Sequence, residues 1–407
     1  MLGIGIELRR RGYDVVVSIA EPYAALATEA GLRVNIAIDS AAFDRLVGGD
    51  DVWHPFVGAR RVFQWAAEDF APTHLRLIQS EYRPGRTVLV SHPLDFASRI
   101  FRETNPLPLI DVHLAPSMLR TPTDYPRMTN RWYELRRPAP LVRLAYWMVD
   151  RLLVDPVTAP SINRLREQPA STAGGRADTP RPVRRVLDRW WLSPDAILAM
   201  YPPWFAPAVA RDFPVVHHCG FPLVDNFGGR TDDAGEIRTG EIVFTSGTAH
   251  RHGTEFFAAA AKACQTLGRP GLLLTSHTPQ LPADLPDNVR SETYVPLSRH
   301  LQHAAAIVHH GGIGTTAAGL AAGVPQLILP MAFDQFDNAR HLSRLGVGRS
   351  ATGPPTMASS LACLIGEADY RTNAVDIAAN FPLAVPAVTL AVNAIETHTL
   401  RSTSFSP

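Results

Sequence analysis

Lysine is almost missing from this chain of 407 residues: of its 39 basic side chains, only Lys262 is a lysine. That bias reads as the mark of a GC-rich genome, with selection of arginine for phosphate binding as the other reading. Excess charge is also missing. The 38 acidic residues leave a net charge of +1, which excludes a nucleic-acid protein working through a bulk basic field. Cysteine is scarce: Cys219, Cys264 and Cys363 lie far apart, with no CxxC and no Cys/His ligand spacing. A disulfide framework and a zinc site are therefore not supported, and the three read as small buried residues in a reducing cytosol. No uninterrupted apolar run reaches the roughly 18 residues of a membrane span. The start places its apolar run before its basic cluster, the reverse of a signal peptide. What is present is an ordinary globular composition, 46% hydrophobic, which excludes a collagen-like, fibrous or largely disordered chain. The length is that of about two to three domains.

The order of elements is α/β. Residues 1–11 have helical spacing, and Gly12 stops the helix. A continuous apolar run over 13–20, a helix over 22–30, Gly31 and a strand over 32–38 follow. Further strands are expected at 87–90, 109–113 and 196–201. Residues 168–182 and 225–240 are polar and Gly- or Pro-bearing, and the second stretch suits a linker. The rhythm then restarts with strands at 241–245, 271–275, 304–308 and 325–329 and helices at 255–267, 315–322 and 338–345. Four segments result: a Rossmann-like domain over 1–224, a linker over 225–240, a second Rossmann-like domain over 241–385, and a helix and tail over 386–407. A doubly wound domain opens with a strand and a Gly-rich turn. Here a helix comes first, so the first strand of the N-terminal domain is expected to be missing.

The strongest chemical signal is His309-His310-Gly311-Gly312-Ile313-Gly314-Thr315-Thr316, between a strand and a helix. Consecutive glycines let backbone N–H groups approach a ligand, the helix start adds positive charge, and Thr315 or Thr316 is expected to cap it. An anion site, most simply for a diphosphate, follows; a tight turn with a glycine cap is the plainer reading. The segment is neither a dinucleotide GxGxxG nor a P-loop. About 20 residues on, Asp334 and Gln335 follow another strand, at the edge where open α/β sheets bind ligands. A carboxylate beside an amide suits neighbouring sugar hydroxyls. An Asx-turn or helix cap, by Asp334 or Asp337, is the alternative.

The stretch 294–339 resembles the donor-binding signature of the inverting, nucleotide-sugar-dependent glycosyltransferases of the UDP-glycosyltransferase superfamily. Its spelling is most similar to bacterial members, such as the rhamnosyltransferase of rhamnolipid synthesis and sterol-glucosyltransferase-like proteins. Ser161 to Arg166, Tyr201 to Ala206 and Gly220 to Leu223 extend the resemblance over most of the chain. It implies the GT-B fold, two Rossmann-like domains facing a cleft. It also implies that His310, Gly311, Gly312, Gly314 and Thr315 hold the donor diphosphate, with Thr248 a further phosphate contact. Tyr294, Val295 and Pro296 would line the base pocket. Asp334 and Gln335 would bind the donor sugar, and Asn338 would support that loop or the phosphate. Where plant members have a ribose-binding Glu, this chain has Ala318, which suits a deoxythymidine donor better than a uridine one.

The family base sits in a turn that the resemblance places upstream of Met1. His92 after the strand at 87–90 is the remaining candidate, paired with an upstream Asp; capping the turn before Pro93 is its plainer role. His113 and Met118 are candidate acceptor contacts, together with residues 132–147. The apolar stretch 141–154, with Arg143 and Arg151, reads as an acceptor wall, a membrane contact or a buried core helix. The expected activity is transfer of a hexose or deoxyhexose to a hydroxyl of a small lipidic or natural-product acceptor, with inversion. No metal, resident cofactor or nucleic acid is expected, and the protein is placed in the cytoplasm, with peripheral contact to the inner membrane face as an option. A catalytically impaired donor-binding homologue and a nucleotide-sugar epimerase of the same fold are the alternatives.

Overall fold

The opening helix forms from Leu2 to Arg10, with Arg9 and Arg10 in its last turn, where positive charge meets the carbonyl end of the dipole. Gly12 follows at φ 95°, a conformation that favours glycine. The computed structural model describes residues 1–127, 129, 138–168, 181–223, 236–247, 253–381 and 386–402. The expected loop at 168–182 and linker at 225–240 fall mostly outside these. The chain divides into two units: Met1–Tyr125, Leu135–Pro222 and Val385–Pro407 form one, Pro126–Glu134 and Leu223–Ala384 the other.

The first unit holds β1 (Val16–Ala20), β2 (Arg33–Ile38), β3 (Leu89–Ser91), β4 (Leu109–His113), β5 (Ala196–Ala199) and β6 (Val216–His218). They form two parallel sheets, β1-β2 and β3-β4-β5-β6. Every residue of β4 and β5 is buried, whereas four of the five residues of β1 are half-buried. Among the described residues no strand joins the two sheets. One helix serves both sheets. Its Ile4 shares a core with Ile110, Val112 and Leu198, and its Gly5 lies against Val15 and Leu32.

The expected final helix forms from Ala387 to Ser402. It enters the same core through Ala391, Val392 and Ile395, and Glu396 meets Arg11 at 2.6 Å. Between β2 and β3 the chain also forms helices Ser40–Val47, Pro55–Trp65 and Ala71–Glu81, which the sequence reading did not anticipate. Helix Ala139–Val149 continues through one wider turn, Asp150–Val154, into helix Asp155–Arg166. The buried-helix reading of 141–154 is half right: Val142, Ala145, Tyr146 and Val154 face inward, but Leu141, Leu144, Trp147, Met148 and Leu152 are exposed. Cys363 is exposed too, against the expectation that all three cysteines are buried.

The second unit has one parallel sheet. Its strands are β7 (Ile242–Thr245), β8 (Gly271–Leu274), β9 (Val289–Glu292), β10 (Ala306–His309), β11 (Gln326–Ile328) and β12 (Gly348–Ser350). They lie in the order β12-β11-β10-β7-β8-β9. The short apolar runs are strands because both faces are covered. Ile242, Phe244, Leu273, Ala306 and Val308 fill one core; Val243, Leu272 and Ile307 fill the other.

A buried ion pair fastens the first unit. His74 Nδ1, inside helix Ala71–Glu81, lies 2.9 Å from Asp95 Oδ1, and Asp95 also accepts from the Ser98 N–H and hydroxyl. Phe70 stacks on the imidazole at 5.0 Å. Burial works to lower the His74 pKa, but the Asp95 carboxylate outweighs it and the net shift is upward. Burial likewise works to raise the Asp95 pKa, and His74 and Ser98 bring it below its ordinary value. A raised histidine contributes stability that is complete below its ordinary value of 6.5 and is lost as pH climbs through the raised one. The lowered Asp95 loses its share only as pH falls below 3.8. The melting midpoint of the parent is therefore expected to fall from about pH 6.5 to about pH 9. His74→Gln is expected to remove that slope and to cost about 3–5 kcal/mol at neutral pH, read by calorimetry across a pH series.

Candidate functional site

In the second unit the chain runs β7, β8, β9 outward, then returns to lay β10 on the other side of β7. That reversal opens a crevice at the carboxyl ends of β7 and β10, the place where open α/β sheets bind ligands. After β7, Thr245 Oγ1 accepts from the Gly247 N–H at 3.3 Å, and Gly247 turns at φ 89°. Beyond β10, Gly311 turns at φ 95° and Gly312 precedes helix Ile313–Ala321. The imidazole of His310 is wedged between the two turns. A Cβ on Gly247 would lie 2.5 Å from its Cε1, and one on Gly312 would lie 2.5 Å from its Nε2. Thr248, the other expected phosphate contact, lies outside the described residues.

His309 has a different task from His310. Its Nδ1 accepts from the Gly311 N–H at 3.1 Å, so the proton sits on Nε2 and is donated to Gln326 Oε1 at 3.0 Å. Gln326 Nε2 then donates to the Thr316 carbonyl at 3.1 Å. Burial, with a smaller push from His310, lowers the His309 pKa to about 3, and this neutral imidazole braces the glycine turn. Sequence reading missed His309 and Gln326. A glutamine inside an apolar strand was the available signal, since buried polar side chains need partners.

The helix after the turn has Gly312 at its N-cap and no side-chain cap. Thr315 and Thr316 lie within it, which corrects the expectation that one of them caps it. The Thr316 N–H, bonded to the Gly312 carbonyl at 3.0 Å, is the first to bond in helical fashion. The N–H groups of Ile313, Gly314 and Thr315 precede it at the positive end of the dipole. A Cβ on Gly314 would meet nothing within 4 Å, so space is open there.

The third turn follows β11 and leads into helix Gln335–Arg344. Phe333 adopts φ 57°, a strained value for a bulky residue, just before Asp334. Asn338 Nδ2 donates to the Gly311 carbonyl and to Asp334 Oδ2, both at 2.9 Å, so it ties this turn to the glycine turn. Gln335 Oε1 accepts from the N–H groups of Met331 and Ala332 at 2.8 and 3.1 Å. Any ligand contact by Gln335 therefore falls to Nε2. Neither Asp334 nor Asp337 caps the helix with its side chain. Asp337 instead accepts from Arg340 and from the Arg127 N–H, and His341 and Arg340 hold its carboxyl far below its ordinary pKa despite burial. At the far edge, beyond β9, Val295 and Pro296 are buried, Val295 in the apolar core, which leaves Tyr294 as the partly exposed member of that trio.

In the first unit the expected catalytic and acceptor residues are buried or half-buried. His92 Nδ1 accepts from the Leu94 N–H at 3.2 Å, a turn cap, and burial lowers its pKa to about 4. The nearby carboxylate, Asp95, is bonded to His74. His113 is fully buried beside Trp191, and burial lowers its pKa to about 3, so it is not an exposed acceptor contact. Met118 is partly buried against the core around Phe96 and Ile100.

Burial raises the Asp334 carboxyl from 3.8 to about 6, with Asp337 adding to the rise and the Asn338 bond opposing it. An acid raised by burial stabilises the fold at low pH and weakens it once ionised. Asp334→Asn is expected to be more stable than the parent at pH 8, on the order of 2 kcal/mol, with the difference gone at about pH 4. Chemical denaturation at the two pH values reads this.

A family model, the C-terminal domain of erythromycin biosynthesis protein CIII-like proteins, matches residues 272–397. An aclacinomycin-T 2-deoxy-L-fucose transferase from Streptomyces galilaeus is 50% identical over 66 residues, 16% of this chain and 15% of that one. The match thus spans under a sixth of that relative's length. An uncharacterised glycosyltransferase of Mycobacterium bovis is 26% identical over 97% of this chain and 94% of its own. Among solved structures, the glycotransferase of kitacinnamycin superposes with a TM-score of 0.70 at 20% identity, covering 98% and 95% of the two chains. Spinosyn rhamnosyltransferase SpnG, solved with thymidine diphosphate, gives 0.62 at 20% identity over 97% and 95%. The chain has the GT-B fold of these solved glycosyltransferases and is similar in sequence to bacterial family 1 glycosyltransferases.

Proposed function

We propose that the chain transfers a sugar from a nucleoside diphosphate to a hydroxyl of a small natural-product or lipidic acceptor, with inversion at the anomeric carbon. The observation that carries this reading is the wedge of His310 between Gly247 and Gly312, at the start of helix Ile313–Ala321. Negative charge develops on the departing diphosphate. Backbone N–H groups, a helix N-terminus and an imidazole stabilise such charge without a metal. Asp334, held by Asn338, accepts from donor sugar hydroxyls in this reading.

Two features favour a deoxyhexose on thymidine diphosphate. Ala318 offers no carboxylate to a ribose 2′-hydroxyl. The Streptomyces relative carries a deoxysugar in its name, and the spinosyn enzyme was solved with thymidine diphosphate. An epimerase fits less well. It needs two acid–base groups at the sugar, and Asp337, the second carboxylate of this turn, is tied to Arg340 and His341.

Calorimetric titration with thymidine and uridine diphosphates, followed by mass spectrometry of products from sugar donors and hydroxylated polyketides, tests the proposal. Thymidine diphosphate is expected to bind more tightly, and Ala318→Glu to narrow the gap. His310→Ala and Gly247→Ala are each expected to lower kcat/KM by about 100-fold. Binding without turnover would mark a donor-binding homologue, and absence of nucleoside diphosphate binding would overturn the reading.

A further inference from the structure

The outward side of the helical segment from Pro138 to Pro160 bears no acid. Its exposed large side chains are Leu141, Leu144, Trp147, Met148 and Leu152, the last 71% exposed. The other exposed residues are prolines and two arginines, Arg143 and Arg151. Both acids of the segment face inward. Asp150 is paired with Arg120 and Arg185, and Asp155 accepts from the Val186 N–H at 3.0 Å. Among the described residues no hydrogen bond or ion pair holds Arg143 or Arg151.

Leu141, Leu144 and Met148 recur at helical spacing, and Leu152 follows one turn on, so the apolar side chains form a continuous stripe. Single exposed leucines are ordinary, but five large apolar side chains on one segment need a covering. The charge says which covering. A second copy docked through the same face would bring arginine towards arginine with no acid in the patch to answer it. An anionic bilayer surface supplies both missing complements: acyl chains for the stripe, and phosphates for guanidinium groups on long apolar stems. No described helix is long and apolar enough to cross a membrane, so this one would lie along the surface.

We propose that this face docks on an anionic phospholipid surface. The helix lies parallel to the bilayer, with Leu144, Met148 and Leu152 in the headgroup–acyl boundary. Trp147 sits at headgroup level, and Arg143 and Arg151 reach lipid phosphates. This inference does not rest on the transfer reaction and survives if that reading fails.

Co-sedimentation with phosphatidylglycerol-containing vesicles, against phosphatidylcholine vesicles, tests it. The full chain is expected to pellet with the anionic vesicles and to be released when salt is raised to about 0.5 M. Arg143→Glu with Arg151→Glu, and separately Leu144→Glu with Leu152→Glu, are each expected to lower binding about tenfold or more. Both pairs are exposed, so melting temperatures should stay near the parent's. Brominated acyl chains are expected to quench tryptophan emission in the parent and not in Trp147→Phe, which decides the matter even if a double variant misfolds. Equal binding to both vesicle types, retention of binding in both double variants, or no pelleting at all would overturn the proposal. So would a dimer that splits on Leu152→Glu while vesicles have no effect.

Discussion

Everything in the second unit's site depends on one imidazole being held between two glycines. His310 has room only because Gly247 and Gly312 carry no Cβ, and both turns are positioned by strands that meet where the chain order reverses. The remaining polar contacts keep those turns from drifting. His309 and Gln326 brace the glycine turn from beneath, and Asn338 ties it to the turn that carries Asp334. Such a site is organised before a ligand arrives, which is the condition for fixed dipoles to act on developing charge.

Much of this was legible in the sequence because it is written in local chemistry. Paired glycines between an apolar run and a helix announce a close backbone approach, and an Asp-Gln pair after a strand announces a sheet edge. Long-range pairings left no such mark. Gln326 was one polar residue in a strand, and its partner His309 lies 17 positions away. His74 sits in a helix that no cap or glycine delimited, and its meaning comes from Asp95, 21 positions on. The final helix was visible, but its return to the first unit was not, because Ala391 and Val392 carry no sign of what they pack against. The threonines after Gly312 show the opposite failure. They have the composition of caps, but the helix begins before them, and glycine stands at the N-cap.

Burial treats the carboxylates unequally, and their neighbours decide their state. Asp334 and Asp111 are both raised by desolvation, to about 6 and about 7. Asp337, equally enclosed but beside His341 and Arg340, goes the other way. Three acids of one type thus range from fully ionised to about half ionised near pH 7. The buried Asp337 anchors the helix that follows the third turn, while Asp334 retains a proton that moves within the working range.

The parted sheet of the first unit carries a kinetic consequence. A two-stranded sheet is marginal by itself, and β1-β2 is fastened to the rest of its unit through side chains and the opening helix rather than by a strand-to-strand ladder with β3. Its amides are therefore set to exchange with solvent through a partial opening that leaves β4 and β5 closed. The second unit, with six strands in one ladder, has no such internal seam. Among the described residues cooperativity is thus graded: the strands of the first unit fall into two ladders, and those of the second unit form one.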